Sequence, residues 1–148
     1  MGEVYLAEDA RLRRRVALKV LPPGDGRGRG QPAPEGSPSC RTLDHPNICT
    51  VYEVGEADGR GFIAMRYVEG TNLSDRFKQA PLELQAAISI GAQVANAVAE
   101  AHRHGIVHCD IKPQNVIVSA GNQATLLDFG LAKSSGPDSQ VPPLRRST

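Results

Sequence analysis

Apolar and polar residues alternate through much of the first half of the chain, and this period of two predicts β-strands. Strands are predicted at residues 4–9, 15–21, 48–54 and 61–68. Charged or glycine-containing turns join them in pairs, at residues 10–14 and 57–59. Because such short connections join neighbouring strands, we expect a small antiparallel sheet.

The second half of the chain carries the three- and four-residue spacing of helices. A short helix is predicted at residues 71–79, because the residue that precedes a proline, here Pro81, avoids helical geometry. A longer helix is predicted from Leu82 to His102. Its apolar residues form two stripes, which are Leu84, Ile88, Gly91, Ala95, Val98 and His102 in the first and Ile90, Val94, Ala97 and Ala101 in the second. Two stripes predict burial on more than one side of the helix.

Short strands are predicted at residues 116–118 and 124–127, around a turn at residues 120–122. The chain thus has a strand-rich half followed by a helix-rich half. This order of elements predicts the α+β fold class.

Two segments interrupt the regular pattern. Ten of the seventeen residues 22–38 are glycine or proline, a composition that does not sustain a helix. We therefore expect a disordered loop over residues 22–42. Residues 134–148 lack apolar periodicity and contain three prolines, which is typical of a loop.

Composition indicates an ordinary globular domain, since 40% of the 148 residues are hydrophobic and 22% are charged. A net charge of +1 argues against a general nucleic-acid or anionic-membrane binder. The three cysteines lack CxxC spacing, which favours a reducing, cytoplasmic compartment. No transmembrane segment is predicted in this chain, although a longer parent protein could be anchored in a membrane.

Two polar motifs supply the residue types that phosphoryl transfer requires. Residues 108–115 read His-Cys-Asp-Ile-Lys-Pro-Gln-Asn, and residues 128–130 read Asp-Phe-Gly. This chemistry needs a base to orient the attacking oxygen, oxygen ligands for Mg²⁺ and cations against the phosphates. Two acids, an amide and a lysine match these needs, namely Asp110, Asp128, Asn115 and Lys112.

These motifs resemble the catalytic loop and the metal-binding motif of eukaryotic-type protein kinases of bacteria, and Lys112 points to the Ser/Thr group. The segment Val16-Ala17-Leu18-Lys19 is similar to the V-A-I-K pattern of the same family. The resemblance covers nearly the whole chain, but the family's domain continues beyond what this chain matches. At one position the chain departs from the pattern, because Cys109 replaces the family's usual Arg.

The resemblance implies a two-lobed, protein-kinase-like fold that is incomplete at both ends. Residues 1–68 would form the N-terminal lobe, in which residues 22–42 replace helix C. Residues 69–133 would start the C-terminal lobe. Residues 134–148 would be the truncated tail of an activation loop.

The resemblance also implies a role for each polar residue of the site. Asp110 would orient the hydroxyl of a protein Ser or Thr substrate, with Lys112 beside the transferred phosphate. Lys19 would contact the α- and β-phosphates of ATP. Asn115 and Asp128 would hold Mg²⁺.

The resemblance further implies a pocket for the adenine of ATP, between a Gly-rich loop, the hinge and the floor of the cleft. Met65 would be the gatekeeper before the hinge, whose backbone groups bond the adenine edge. The residues implied for nucleotide binding are Gly2, Val4, Ala17, Lys19, Met65, Arg66, Val68 and Ile117.

Alternatives to an active kinase remain open. The chain could be an inactive fragment that binds a nucleotide or a partner, because loop glycines, a helix C acid and later helices of the family are absent from the match. A transition-metal site is a weaker alternative, drawn from His102, His104, His108 and Cys109. The helix from Leu82 should also expose apolar area, which favours association through that face.

Overall fold

The computed structural model describes residues 3–22, 43–128 and 133–134. The expectations for Gly2, for residues 23–42 and for residues 135–148 therefore lie outside the described residues, as do those for Phe129 and Gly130. Among the described residues, no helix has the length and apolar character needed to cross a membrane.

An antiparallel sheet of four strands forms the first half, as predicted. Its strands are β1 (Glu3–Asp9), β2 (Arg14–Val20), β3 (Val51–Ala57) and β4 (Arg60–Arg66), in the order β1-β2-β4-β3. In antiparallel pairs, directly opposite residues share a face of the sheet. Ala17 lies opposite Leu6 and Met65, and Lys19 lies opposite Val4 and Ile63. The register thus places Lys19 and Ala17 on the same face.

Strand β3 begins three residues later than predicted, at Val51 rather than Ile48. The reason is that the preceding residues pair elsewhere. Ile48 forms an isolated parallel bridge with Leu126, and the N–H of Cys49 donates to the Leu126 carbonyl at 2.9 Å. Strand β4 ends at Arg66, so Val68 lies in the connection that follows it.

The second half contains α1 (Leu73–Gln79) and α2 (Leu84–Arg103), close to the predicted helices. Helix α1 starts later than residue 71 because Thr71–Asn72 forms a short strand, β5. Asn72 then caps the helix, since its side-chain oxygen accepts the backbone N–H of Asp75 at 2.8 Å.

Short strands frame the two polar motifs. Strand β6 (Ile106–Val107) precedes the first motif and pairs with β9 (Lys133–Ser134), which follows the second motif. Within the first motif, a single turn of 3-10 helix covers Pro113–Asn115. Strands β7 (Val116–Val118) and β8 (Ala124–Leu126) form a hairpin between the motifs, as predicted, and β5 pairs with β7.

Two apolar cores meet at residues 47–49. The larger core joins α2 to the β7–β8 hairpin and comprises Leu43, Ile48, Ile90, Ala97, Ala101, Ile106, Val116, Val118, Ala124 and Leu126. The smaller core lies under the first sheet and comprises Cys49, Val51, Ile63 and Met65. Because Ile48 and Cys49 are neighbours in the chain but belong to different cores, this segment couples the two halves.

Helix α2 is buried along only one of its two apolar stripes. Ile90, Ala97 and Ala101 of the second stripe are buried, whereas Leu84 and Ile88 of the first are 74% and 57% exposed. The expected burial on more than one side is therefore wrong for the described chain. Burial of the first stripe needs a further packed layer, which the described elements do not supply.

Gly70 occupies a close approach that a larger residue does not fit. Its φ is +150°, and an added Cβ would lie 2.5 Å from the Val118 carbonyl oxygen. We expect Gly70→Ala to lower the free energy of unfolding by about 2 kcal/mol, through backbone strain and the steric overlap. Urea denaturation followed by circular dichroism measures this change.

Gly91→Ala is the matched control for that substitution. Gly91 lies in the exposed part of α2, where an added Cβ meets nothing described within 4 Å. Alanine there should stabilise the helix by about 0.5–1 kcal/mol. Equal effects of the two substitutions would contradict the steric argument for Gly70.

Candidate active site

Asp110 lies in the loop after β6 and is held by two neighbours from its own motif. The Lys112 Nζ lies 2.8 Å from the Asp110 Oδ2. The Asn115 side-chain amide donates to the Asp110 backbone oxygen at 2.8 Å and to its Oδ2 at 3.2 Å. Hydrogen bonding from Lys112, and then from Asn115, lowers the pKa of Asp110. Asp110 is therefore an ionised, partly exposed carboxylate at neutral pH.

His108 is buried and connects the two polar motifs. The backbone N–H of Asp110 donates to the His108 Nδ1 at 3.2 Å, so the proton of the neutral ring belongs on Nε2. That nitrogen lies 2.7 Å from the Leu127 carbonyl oxygen, to which it donates. The ring thus holds the backbone directly before Asp128 against the loop of Asp110. We had weighed His108 only as a metal ligand, although it stands in the same motif as Asp110.

The alternative transition-metal site gains no support from the structure. Both ring nitrogens of His108 lie within hydrogen-bonding distance of backbone groups, while His102 and His104 are exposed at the end of α2. Across the described ranges, no group of three or more His, Cys, Asp or Glu side chains is arranged to hold a metal ion.

Lys19 and Asp128 come together although 109 residues separate them in the chain. Their Nζ and Oδ1 atoms are 2.8 Å apart, and their side chains are only 15% and 21% exposed. Asp128 adopts a positive φ of 63°, which turns the backbone as the chain leaves the strand pair. The ion pair therefore joins the first sheet to the second polar motif.

Asn115 and Asp128 have donor atoms that suit Mg²⁺. The Leu127 N–H donates to the Asn115 carbonyl at 2.7 Å, which keeps the two motifs adjacent. Because the Asn115 side-chain nitrogen is engaged with Asp110, its amide oxygen remains available. One carboxylate oxygen of Asp128 contacts Lys19, and its second oxygen can serve as a ligand. Mg²⁺ prefers such hard oxygen donors.

The apolar residues proposed for the adenine largely gather in one cluster. Ala17 and Val68 pack against the smaller core, which contains Met65. Val4 lies on the same sheet face as Lys19 and is 61% exposed, so it forms an open edge of the cleft. Ile117 lies in β7, opposite Asn72 and Thr125, and is not part of this cluster.

Arg66 uses several groups at the predicted hinge. Its N–H donates to the Thr50 carbonyl at 2.9 Å, and its Nη2 lies 3.4 Å from the Ile48 oxygen. Its own carbonyl accepts the Cys49 thiol at 3.4 Å. Burial raises the pKa of the Cys49 thiol to about 11, so the thiol keeps its proton. Sequence reasoning missed the contact with Cys49, because no local pattern reports a contact across 17 residues.

Comparison with known proteins accounts for this arrangement. The chain matches the protein kinase domain family over residues 1–146. The chain belongs to this family. Members of the family in general use ATP and a divalent metal ion and act on proteins.

Similar kinases come from several bacteria. The chain is 40% identical to the serine/threonine-protein kinase PknD of Mycobacterium tuberculosis over 139 residues, which are 91% of this chain and 21% of PknD. It is also 40% identical to the serine/threonine-protein kinase PrkC of Bacillus subtilis over 136 residues, which are 89% of this chain and 21% of PrkC. This protein kinase chain thus spans about a fifth of the length of these relatives.

A solved structure shows the same fold. The crystal structure of the Mycobacterium tuberculosis PknI kinase domain matches with a TM-score of 0.76 and 36% identity, and the match covers 90% of this chain and 56% of that one. The predicted α+β, kinase-like fold is therefore confirmed, and this chain corresponds to about half of that domain.

Proposed function

We propose that the chain carries the nucleotide and catalytic site of a cytoplasmic Ser/Thr protein kinase, which transfers the γ-phosphate of Mg-ATP to protein hydroxyls. The observation that supports this most directly is the convergence of both polar motifs with Lys19. Ion pairs or hydrogen bonds link Lys19 to Asp128 and link Asp110 to both Lys112 and Asn115. All the polar groups that phosphoryl transfer requires thus come from one connected site.

Each residue has a role that follows from its charge and position. Asp110 is ionised, so it accepts the hydrogen bond of the incoming Ser or Thr hydroxyl and can take its proton. Lys112, beside Asp110, places a cation where negative charge gathers on the transferred phosphate. Lys19 places a second cation at the cleft face of the sheet, where it holds the α- and β-phosphates.

Asn115 and Asp128 hold the metal through their oxygen atoms. The bound Mg²⁺ would neutralise charge on the phosphates. The carboxylate of Asp128 also orients Lys19, so Asp128 serves the metal and the phosphates together.

The apolar side of the cleft suits adenine. Ala17, Met65 and Val68 offer a half-buried apolar wall, and Val4 covers its open edge. Arg66 contributes through its backbone carbonyl, and Gly2 and Ile117 complete the proposed set. Flat apolar surfaces with few polar groups are typical of nucleotide sites.

Transfer of radiolabelled phosphate from ATP to a generic acceptor protein tests the proposal. We expect Mg²⁺-dependent labelling, which falls to background when a chelator removes the metal. Labelling that is unchanged by the chelator would contradict the metal role. Nucleotide binding without labelling would instead support the alternative of an inactive binding module.

We also propose that the exposed stripe of α2 mediates association of the isolated chain. Leu84 and Ile88 lie one turn apart and are largely exposed. Replacing both with Glu should shift the chain from oligomers towards monomers, because charged side chains resist burial. Light scattering across a range of concentrations measures the shift.

The control for this double substitution is Gln85→Glu combined with Asn96→Glu. Both positions lie on exposed parts of α2, so the control adds the same charge without removing apolar area. Monomers already present in the unchanged chain, or an equal effect of the control, would contradict association through this stripe.

A further inference from the structure

Gln93 joins three separate segments of the chain through its side-chain amide. Its Oε1 accepts the Asn47 Nδ2–H at 3.0 Å and the Ala124 backbone N–H at 2.9 Å. Its Nε2 donates to the Asn122 carbonyl at 2.9 Å and lies 3.3 Å from the Ser89 hydroxyl. Helix α2, the segment before β3 and the β7–β8 hairpin therefore meet at this one amide.

The partners of Gln93 are buried, so lost contacts are not easily replaced by water. Asn47 is 7% exposed and Ala124 is fully buried. Asn47 keeps one further contact, from its Nδ2 to the Ala124 carbonyl at 2.8 Å. Without Gln93, the Ala124 N–H would lose its partner and would favour a shifted strand that satisfies it.

The strand that Gln93 holds leads directly to the metal motif. Asp128 follows β8 by two residues. The carbonyl of Asn47 accepts the Leu126 N–H at 2.8 Å, so the segment that Gln93 binds also runs beside β8. From Asn47 the chain continues into β3, within the same sheet as Lys19. Gln93 thus contacts both chain segments that determine where Lys19 and Asp128 lie relative to one another.

From these contacts we propose that Gln93 is a positioning residue of the active site. It fixes β8 against residues 47–49 and thereby sets the Asp128 carboxylate for both Lys19 and the metal. This inference rests on the proposed function, because it concerns the Mg²⁺-dependent binding of ATP.

The experiment measures the dissociation constant of ATP by calorimetry, with Mg²⁺ and with a chelator, for the full chain and its variants. The ratio of the two constants reports the metal contribution to binding. Gln93→Met keeps the length of the side chain but removes its polar contacts. We expect it to reduce the ratio by about ten-fold, as for other residues that orient metal ligands. The affinity without metal should change little.

Gln85→Met is the matched control, since Gln85 is exposed on the same helix and the described contacts give its side chain no hydrogen bond. It should leave the ratio unchanged. Circular dichroism establishes that each variant is folded at the assay temperature. A purely structural role would lower the melting temperature of Gln93→Met without changing the ratio, and that result would overturn the inference.

A second variant keeps the inference testable if Gln93→Met does not fold. Gln93→Glu retains acceptor oxygens for Asn47 and Ala124 but loses the donor to the Asn122 carbonyl. We expect an intermediate ratio, and an unchanged ratio would count against the proposal. If the unchanged chain shows no Mg²⁺-dependent binding of ATP, the proposed function fails with the inference; if only the variants behave otherwise than expected, the inference fails alone.

Discussion

Asp128→Asn is expected to reduce phosphate transfer by about a thousand-fold, which corresponds to roughly 4 kcal/mol of lost charge stabilisation. The carboxylate is both a proposed metal ligand and the partner of Lys19 at 2.8 Å. Asparagine has nearly the same shape, but it has no negative charge to offer to the metal or to the ammonium. One substitution therefore weakens two interactions with the phosphates.

The rate of radiolabel transfer measures this effect, and ATP binding in the presence of a chelator separates it from unfolding. Binding without metal should persist, since the adenine wall of Ala17, Met65 and Val68 is unchanged. Asp58→Asn is the control, because Asp58 is exposed in a turn and its φ of 51° suits asparagine. Transfer at the unaltered rate in Asp128→Asn would remove Asp128 from the proposed site.

Asp110→Asn should lower the transfer rate by about a thousand-fold while leaving the affinity for Mg-ATP nearly unchanged. Lys112 and Asn115 hold the pKa of Asp110 below its usual range, so the group is ready to accept a proton at neutral pH. Asparagine can accept a hydrogen bond at this position but cannot take the proton. The loss should therefore appear in kcat rather than in nucleotide binding.

Single-turnover transfer and calorimetric binding of Mg-ATP test this separation. Asp44→Asn serves as the control, because Asp44 is an exposed acid on which the described contacts place no role in the site. A parallel loss of nucleotide affinity in Asp110→Asn would mean that Asp110 supports ATP binding rather than the attacking hydroxyl.

The regular elements could be predicted well from the sequence, because strand and helix periodicity depends on neighbouring residues. The four-stranded sheet, both helices and the β7–β8 hairpin match their predicted positions within a few residues. The start of β3 was missed, since Ile48 has the apolar character of a strand residue but pairs with Leu126. Local propensity does not say which partner a strand residue chooses.

The candidate site was predictable where its residues lie within one short motif. Asp110, Lys112 and Asn115 lie within six residues of one another, and the structure brings them into contact. The roles of His108 and Gln93 were not apparent, because both act through backbone groups of distant segments. Such groups belong to every residue, so they leave no trace in the pattern of side chains.

By itself, the sequence determined the elements, the two polar motifs and the membership in the protein kinase domain family, because each depends on residues close together in the chain. Only the tertiary structure decided which distant groups meet. It paired Lys19 with Asp128, joined Asn47 to Gln93 and left one stripe of α2 exposed. The physical reason is that buried charges and amides must find partners once the chain is packed, and the available partners are known only when distant segments lie side by side.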